Sequence, residues 1–239
     1  RGNAKGYQGL KRLSVDEIIE KSDAVLIETD VWNLTKVAQK CIDAGKHIHM
    51  DKPASGTLEE YRNLLETAKM KKRIVQLGYM YRYNPSIRKV FDMVQNGELG
   101  TVFSGNAEMS TGHSDEYRQW LCNFPGGTMY IFGCHLIDLI ILLLGMPVKV
   151  ISNIARSGLH GIEADDLCTA VLCYEHASAR VFVSSVESNG WGRRCFSVAG
   201  SEGTAEIRPL EVPVHMTFAK KGTGAEYFED YAKPVDTES

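Results

Sequence analysis

The sequence has no long apolar run, no C-x-x-C pair and no excess of charge of either sign, and each absence removes a class of protein. Its longest hydrophobic stretch, residues 136–144, is broken by Asp138 and falls far short of the ~20 apolar residues that cross a bilayer. No membrane partner is expected. With 27 Lys and Arg against 30 Asp and Glu, the net charge is −3, which leaves no basic footprint for a nucleic acid. Proline is scarce at 7 residues and glycine ordinary at 22, so collagen-like, low-complexity and wholly disordered chains are excluded. The cysteines (Cys41, Cys122, Cys134, Cys168, Cys173 and Cys195) are scattered. They read as reduced, mostly buried thiols of a cytoplasmic protein, not as a disulfide framework or a metal centre.

What is present is the composition of a globular protein, 44% hydrophobic over 239 residues. At about 100–200 residues per domain, that length allows one large or two small domains. The chain begins at Arg1 and lacks an opening strand.

The first part of the chain alternates between two periods. Ser14 and Glu17 form a capping box ahead of a short helix. Ala24-Val25-Leu26-Ile27 is a continuous apolar run, the pattern of a strand buried on both faces. Leu34, Val37, Ala38, Cys41 and Ile42 then repeat at helical spacing, with Gly45 as the stop. His47-Ile48-His49-Met50 reads as a strand. Thr57 and Glu60 cap a third helix with Leu58, Tyr61, Leu64, Leu65 and Ala68 as one apolar stripe, and residues 74–77 close the series as a strand. Strands separated by crossover helices form a parallel sheet. Residues 1–80 are therefore expected to form a partial, Rossmann-like doubly wound domain.

After Gly78 the pattern changes. Asn84-Pro85 opens a helix with Ile87, Val90, Phe91 and Val94 on one face. Beyond it, residues 101–110, 148–154, 167–174, 179–186, 195–199 and 204–207 have strand character and turn-like connections, which predicts an antiparallel sheet. One strong helix, residues 133–144, interrupts them and covers the sheet. The fold class is α/β plus α+β, with a second, α+β domain over residues 81–220 and a polar tail over 221–239.

In an open parallel sheet, ligands bind beyond the carboxyl ends of the strands. Thr29-Asp30, Asp51-Lys52-Pro53 and Gly78-Tyr79-Met80 fall there. Lys52, between an apolar strand and a proline, directs an ammonium into the crevice, although a solvated lysine beside a turn proline fits the same pattern. In the second domain, His135 sits in the first turn of its helix, where the macrodipole disfavours the imidazolium. Asp138, three residues on, shares its face. A buried histidine bonded to a carbonyl fits these residues equally.

Four motifs, taken in order, carry a resemblance to a known family. They are Ala-Gly-Lys-His-Ile-His-Met-Asp-Lys-Pro (44–53), Gly-Tyr-Met-Tyr-Arg-Tyr-Asn-Pro (78–85), the block Gly-Gly…Gly-Cys-His-Leu-Ile-Asp (126–138) and Gly-Ser-Glu-Gly-Thr (200–204). The chain resembles the glucose–fructose oxidoreductase / inositol dehydrogenase (Gfo/Idh/MocA) family of NAD(P)-dependent oxidoreductases, from about residue 23 to residue 207. The resemblance implies hydride transfer between a sugar or polyol carbon and a nicotinamide. Lys52 would polarise the substrate hydroxyl and His135 would act as general base. Thr29, Asp51, Lys52 and Pro53 would meet the NAD or NADP cofactor, and Met80 and Asp138 the substrate. It also implies a homo-oligomer joined through the open face of the antiparallel sheet.

Three departures bear on activity. Ile131 stands where the family has an aspartate beside the lysine. Thr29-Asp30-Val31-Trp32-Asn33-Leu34 keeps only the threonine of the family's Thr-Pro-Asn-x-x-His. No G-x-G-x-x-G occurs; Gly190-x-Gly192 runs into Arg193, Arg194 and Cys195. The chain is thus expected to be truncated at both ends relative to the family. The alternative is a non-catalytic homologue that binds a sugar-like ligand or a partner subunit.

Overall fold

In a computed structural model the chain forms two units, Arg1–Tyr79 and Met80–Ser239. The structure describes residue 9 and residues 11–211, 215–222 and 233–235. In the first unit, α1 (Val15–Lys21) opens on the capping box, with Glu17 N–H donating to Ser14 Oγ and Ser14 N–H to Glu17 Oε2. There follow β1 (Ala24–Ile27), α2 (Leu34–Asp43), β2 (His47–Met50), α3 (Leu58–Met70) and β3 (Val75–Leu77). Thr57 and Glu60 form the second capping box, at the start of α3. Gly45 takes a φ of 75° just after α2, the left-handed conformation that favours glycine.

The strands pair in parallel in the order β1-β2-β3. Val25, Ile27, Ile48 and Met50 pack with Ile19, Leu34, Ala38, Cys41, Ile42, Leu64 and Ala68 into one core. Two expectations need correction. β1 is buried on one face only, because Ala24 and Leu26 point away from that core and stay exposed. The apolar stripe of α3 is also narrower than its spacing implies: Leu64 and Ala68 are buried, whereas Leu58 and Leu65 are exposed. Periodicity shows which faces of an element are apolar, but not which of those faces are covered.

The second unit opens with a 3-10 turn, Met80–Tyr83. α4 (Pro85–Gln95) follows, capped by the Asn84 side chain, which accepts from Ile87 N–H with proline at the first helical position. Then come β4 (Val102–Ser110), α5 (Asp115–Leu121), a π-helical turn (Met129–Gly133), α6 (Cys134–Leu144), β5 (Lys149–Ala155), β6 (Leu167–Cys173), β7 (Ser178–Ser184), α7 (Gly190–Arg193), β8 (Cys195–Gly200), β9 (Gly203–Ile207), β10 (Met216–Lys220) and β11 (Lys233–Pro234). Most of the expected polar tail, residues 223–232 and 236–239, lies outside the described residues; β11 pairs antiparallel with β10.

The sheet order is β11-β10-β9-β8-β4-β7-β6-β5. It is mixed, not wholly antiparallel as expected, because β4 pairs in parallel with β7. The long connection after β4, through α5, α6, β5 and β6, brings the chain back beside it in the same direction. The core sits between one face of this sheet and helices α4 and α6. Ala107, Met109, Val181, Val183, Phe196 and Val198 pack there with Ile87, Val90, Leu136, Leu139 and Ile140. A Cβ on Gly105 would lie 2.9 Å from Ile140 Cδ1, so the missing side chain is what lets α6 approach β4. At the sheet edge, β5 leaves Val150, Ile151 and Ile154 exposed. All of the cysteines are free thiols. Among the described residues no helix is long and apolar enough to cross a membrane.

Candidate active site

In the first unit the parallel pairing brings the carboxyl ends of β1, β2 and β3 to one edge. Asp51 N–H donates to Ile27 O at 2.9 Å and Gly78 N–H to Met50 O at 2.8 Å, which carries the ladder to the last residue of each strand. Thr29 and Asp51 are exposed, Lys52 is half-buried and Pro53 is buried. The segment after Lys52 is fixed by a buried clamp that the sequence patterns did not indicate. Thr35 N–H donates to Ser55 Oγ (3.0 Å), Thr35 Oγ1 to Ser55 O (2.7 Å), and Ser55 N–H to Thr35 Oγ1 (3.0 Å). α2 thereby holds the loop that leads out of Lys52-Pro53. Thr35→Val keeps the shape but removes the two bonds made by the hydroxyl, leaving the Ser55 amide unpaired, and an unsatisfied buried amide costs about 1–3 kcal/mol. Urea unfolding should show a loss in that range, and hydrogen exchange should show selective loss of protection at the Ser55 amide.

In the second unit the helical backbone is continuous over residues 127–144, with the π-helical turn inside it. This corrects the position assigned to His135. It lies in the interior of a longer helix, not in a first turn, so the macrodipole argument for a neutral base has no basis here. Single π turns inside α-helices are frequent at functional sites. The start of this helix is anchored by Asp165: Thr128 N–H donates to Asp165 O (2.9 Å) and Gly126 N–H to Asp165 Oδ2 (3.2 Å). Gly127 has a φ of 38°, and a Cβ there would lie 2.5 Å from Asp165 O, so only glycine fits. Thr128 and Ser185 join through their hydroxyls.

His135 is buried, with its ring edge-to-face against Tyr81 at 5.0 Å between centroids. The Tyr81 hydroxyl donates to Glu211 Oε1, and burial together with the Glu211 carboxylate pushes the phenol's pKa far up. Arg194 Nη1 donates to the same Glu211 oxygen at 2.7 Å. The remaining Arg194 donors reach Ser110 O (3.1 Å) and Thr111 Oγ1, and its guanidinium stacks 3.8 Å over Trp191. Beside this chain of contacts, the His113 ring stacks on Tyr117 (4.3 Å between centroids) and on Phe132 (5.2 Å). Burial, with the Arg194 charge adding to it, holds the His113 pKa below the usual imidazole value.

The residues singled out from the sequence fall into two groups. Thr29, Asp51, Lys52 and Pro53 share the strand-end edge of the first unit, and Met80, His135 and Asp138 lie in the second. Met80 is exposed at the start of the 3-10 turn that also carries Tyr81 and Arg82. Asp138 accepts Arg82 through both carboxylate oxygens, with Nε at 2.7 Å, so it ties that turn to α6. Ile131 is buried inside the π turn. Tyr81, Arg194 and Glu211 were missed. Nothing in the spacing links them, since Glu211 is 130 positions from Tyr81 along the chain.

A sequence-family model described as "Oxidoreductase family, NAD-binding Rossmann fold" matches residues 3–79, and one described as "GFO/IDH/MocA C-terminal domain" matches residues 87–206. An uncharacterized oxidoreductase of Schizosaccharomyces pombe, C115.03, is 26% identical over 97% of this chain and 67% of its own length. The scyllo-inositol 2-dehydrogenase (NADP(+)) IolW of Bacillus subtilis is 28% identical over 64% of this chain and 42% of its own. In fold, the chain is similar to an aldose-aldose oxidoreductase from Caulobacter crescentus, solved with glycerol, at a TM-score of 0.80 and 20% identity over 94% of this chain and 66% of that one. The chain spans about half to two thirds of the length of the curated relatives it matches. With both of its units matched, the chain belongs to the GFO/IDH/MocA oxidoreductase family.

Proposed function

We propose that this chain carries the reacting residues of an NAD(P)-dependent oxidoreductase that oxidises a hydroxyl-bearing carbon of a sugar or polyol, or reduces the corresponding carbonyl. The observation that carries the reading is the placement of Lys52 at the carboxyl end of a parallel strand, where open sheets receive their ligands, with the following residues clamped by Thr35 and Ser55. The relatives named for inositol and aldose chemistry support the substrate class.

The residues present fit the nicotinamide end of a dinucleotide. Thr29, Asp51, Lys52 and Pro53 share one sheet edge, and close packing of backbone there is marked by Gly78, whose Cβ would lie 3.4 Å from Asp51 Cα and from Met50 O. The glycine fingerprint that seats a pyrophosphate does not occur in the sequence. When bound, the nicotinamide supplies the hydride acceptor or donor. The protein's own residues do the rest. The Lys52 ammonium binds the reacting oxygen and stabilises negative charge that develops on it. The His135 imidazole takes the hydroxyl proton during oxidation and returns it during reduction. Tyr81, locked by Glu211, fixes the plane of the His135 ring. The exposed apolar residues of β5, Val150, Ile151 and Ile154, support a homo-oligomer joined through the sheet of the second unit.

Quenching or a shift of NAD(P)H fluorescence on titration with the protein, together with cofactor reduction by at least one member of a polyol and aldose panel, is the expected result. Cofactor binding with no turnover of any polyol or sugar would favour the non-catalytic alternative, for which Ile131 in the aspartate position speaks. For the assembly, light scattering at micromolar concentration is expected to give a mass above that of the 26.6 kDa chain, and a monomer would count against the sheet interface.

A further inference from the structure

The carboxylate expected beside the reacting residues is absent, because Ile131 occupies its place and is buried. The unit that holds His135 nevertheless contains a carboxylate that the sequence patterns gave no reason to single out. The Glu211 side chain is 17% exposed. Its Oε1 accepts from both the Tyr81 hydroxyl and Arg194 Nη1. Its Oε2 is buried and has no hydrogen-bond partner among the described residues. Both fixed donors converge on one oxygen and leave the other unpaired, although a buried charged acceptor without a donor is costly. Tyr81 links this carboxylate to His135, since its hydroxyl meets Glu211 while its ring packs against the imidazole. A second orphan lies in the same neighbourhood. Among the described residues His113 Nε2 is buried without a partner, its ring stacks on both Tyr117 and Phe132, and the charge of Arg194, which also holds Glu211, acts on it.

A carboxylate only accepts hydrogen bonds, whereas an imidazole offers a donor, an acceptor or both. Unpaired groups of these two kinds around one buried cluster match a ligand with several hydroxyl groups, each of which donates and accepts. We propose that Glu211 is the substrate-binding carboxylate of this site: its Oε2 accepts a hydrogen bond from a hydroxyl of the sugar or polyol other than the one that gives its proton to His135. The proposal rests on the polyol-oxidoreductase reading above. It assigns Glu211 to recognition, in the place that Ile131 leaves without a carboxylate. Arg194 and Tyr81 act as positioning residues, because they occupy Oε1 and so present Oε2 to the ligand.

The test uses polyols and aldoses, each with a single hydroxyl replaced by fluorine, which keeps an acceptor but removes the donor. Affinities are read by titration calorimetry, and kcat/KM by NAD(P)H absorbance. In the unaltered protein, fluorine at one position is expected to weaken binding about ten- to a hundredfold, the range for a hydrogen bond to a charged group. In Glu211→Gln the amide oxygen stays with Arg194 and Tyr81, and its NH2 replaces Oε2, so a donor stands where the acceptor was. The contrast at that one position should then collapse to within about threefold, while contrasts at other positions persist. If Glu211→Gln does not fold, Glu211→Asp keeps the charge against Arg194 and withdraws the oxygen by one methylene, and the same contrast should weaken. An unaltered protein that turns over polyols, but whose Glu211 variants keep every contrast, overturns the role of Glu211 and leaves the oxidoreductase reading standing. An unaltered protein that neither binds nor oxidises any member of the panel overturns both.

Discussion

Replacing His135 by asparagine is expected to lower kcat by about 10²–10⁴-fold, the usual contribution of a positioned general base. Asparagine keeps polar character against the Tyr81 ring, but it cannot take a proton near neutral pH. The ring contact at 5.0 Å and the lock of Tyr81 onto Glu211 fix the imidazole before any substrate arrives. The loss should therefore appear in kcat and not mainly in KM. The pH profile separates a base from a merely structural histidine. In the unaltered protein, the rate of oxidation should fall on the acid side as the base becomes protonated, and in His135→Asn that limb should disappear. Lys52→Met should cost about 10²–10³-fold, as for loss of one donor to a developing oxyanion, with Lys52→Arg retaining part of the rate through its charge. A His135→Asn protein within threefold of the parent, with its acid limb intact, would remove His135 from the chemistry.

The second large effect concerns stability. Arg118 and Asp166 form a buried pair, with side chains 3% and 0% exposed and Nη2 to Oδ2 at 2.8 Å. Arg118 Nε donates to the same oxygen at 3.1 Å, and Ser157 donates to both carboxylate oxygens at 2.8 Å. Asp166→Ala removes the acceptor and leaves the guanidinium buried beside a cavity. Breaking a buried pair from one side costs about 3–5 kcal/mol, a large fraction of the stability of an ordinary domain. Urea unfolding of the second unit should move to much lower concentration. The control is the exposed pair Lys40–Asp16, 53% and 79% exposed, where Asp16→Ala should change stability by no more than about 1 kcal/mol. An Asp166→Ala midpoint as close to the parent as that of Asp16→Ala would show that burial of the pair has been overvalued. The effect should reach the candidate site as well. Arg118 sits in α5, which also carries Tyr117, the ring stacked on His113.

Much of this arrangement was legible in local patterns. Both capping boxes, the Asn84 cap and the alternation of helix with strand over the first unit depend on neighbours within four residues, so the spacing of Ser14 and Glu17 or of Thr57 and Glu60 suffices. The strand-end positions of Thr29, Asp51 and Lys52 follow from the same alternation. Other features escaped for a physical reason. The exposed face of β1, the parallel pairing of β4 with β7 and the helical turns that precede His135 depend on what packs against an element, and nothing in the element itself reports that.

The sequence by itself determined the two kinds of unit and most of their helices and strands. Those follow from periodicity, capping and turn residues, all of which act over one or two turns of chain. Only the tertiary structure decided that Asp138 is engaged by Arg82, that Ile131 is buried within a π turn, and that Glu211 joins Tyr81 and Arg194 at His135. These contacts link residues separated by up to 130 positions. Loop-closure entropy is offset there by burial and by hydrogen bonds that no local pattern encodes.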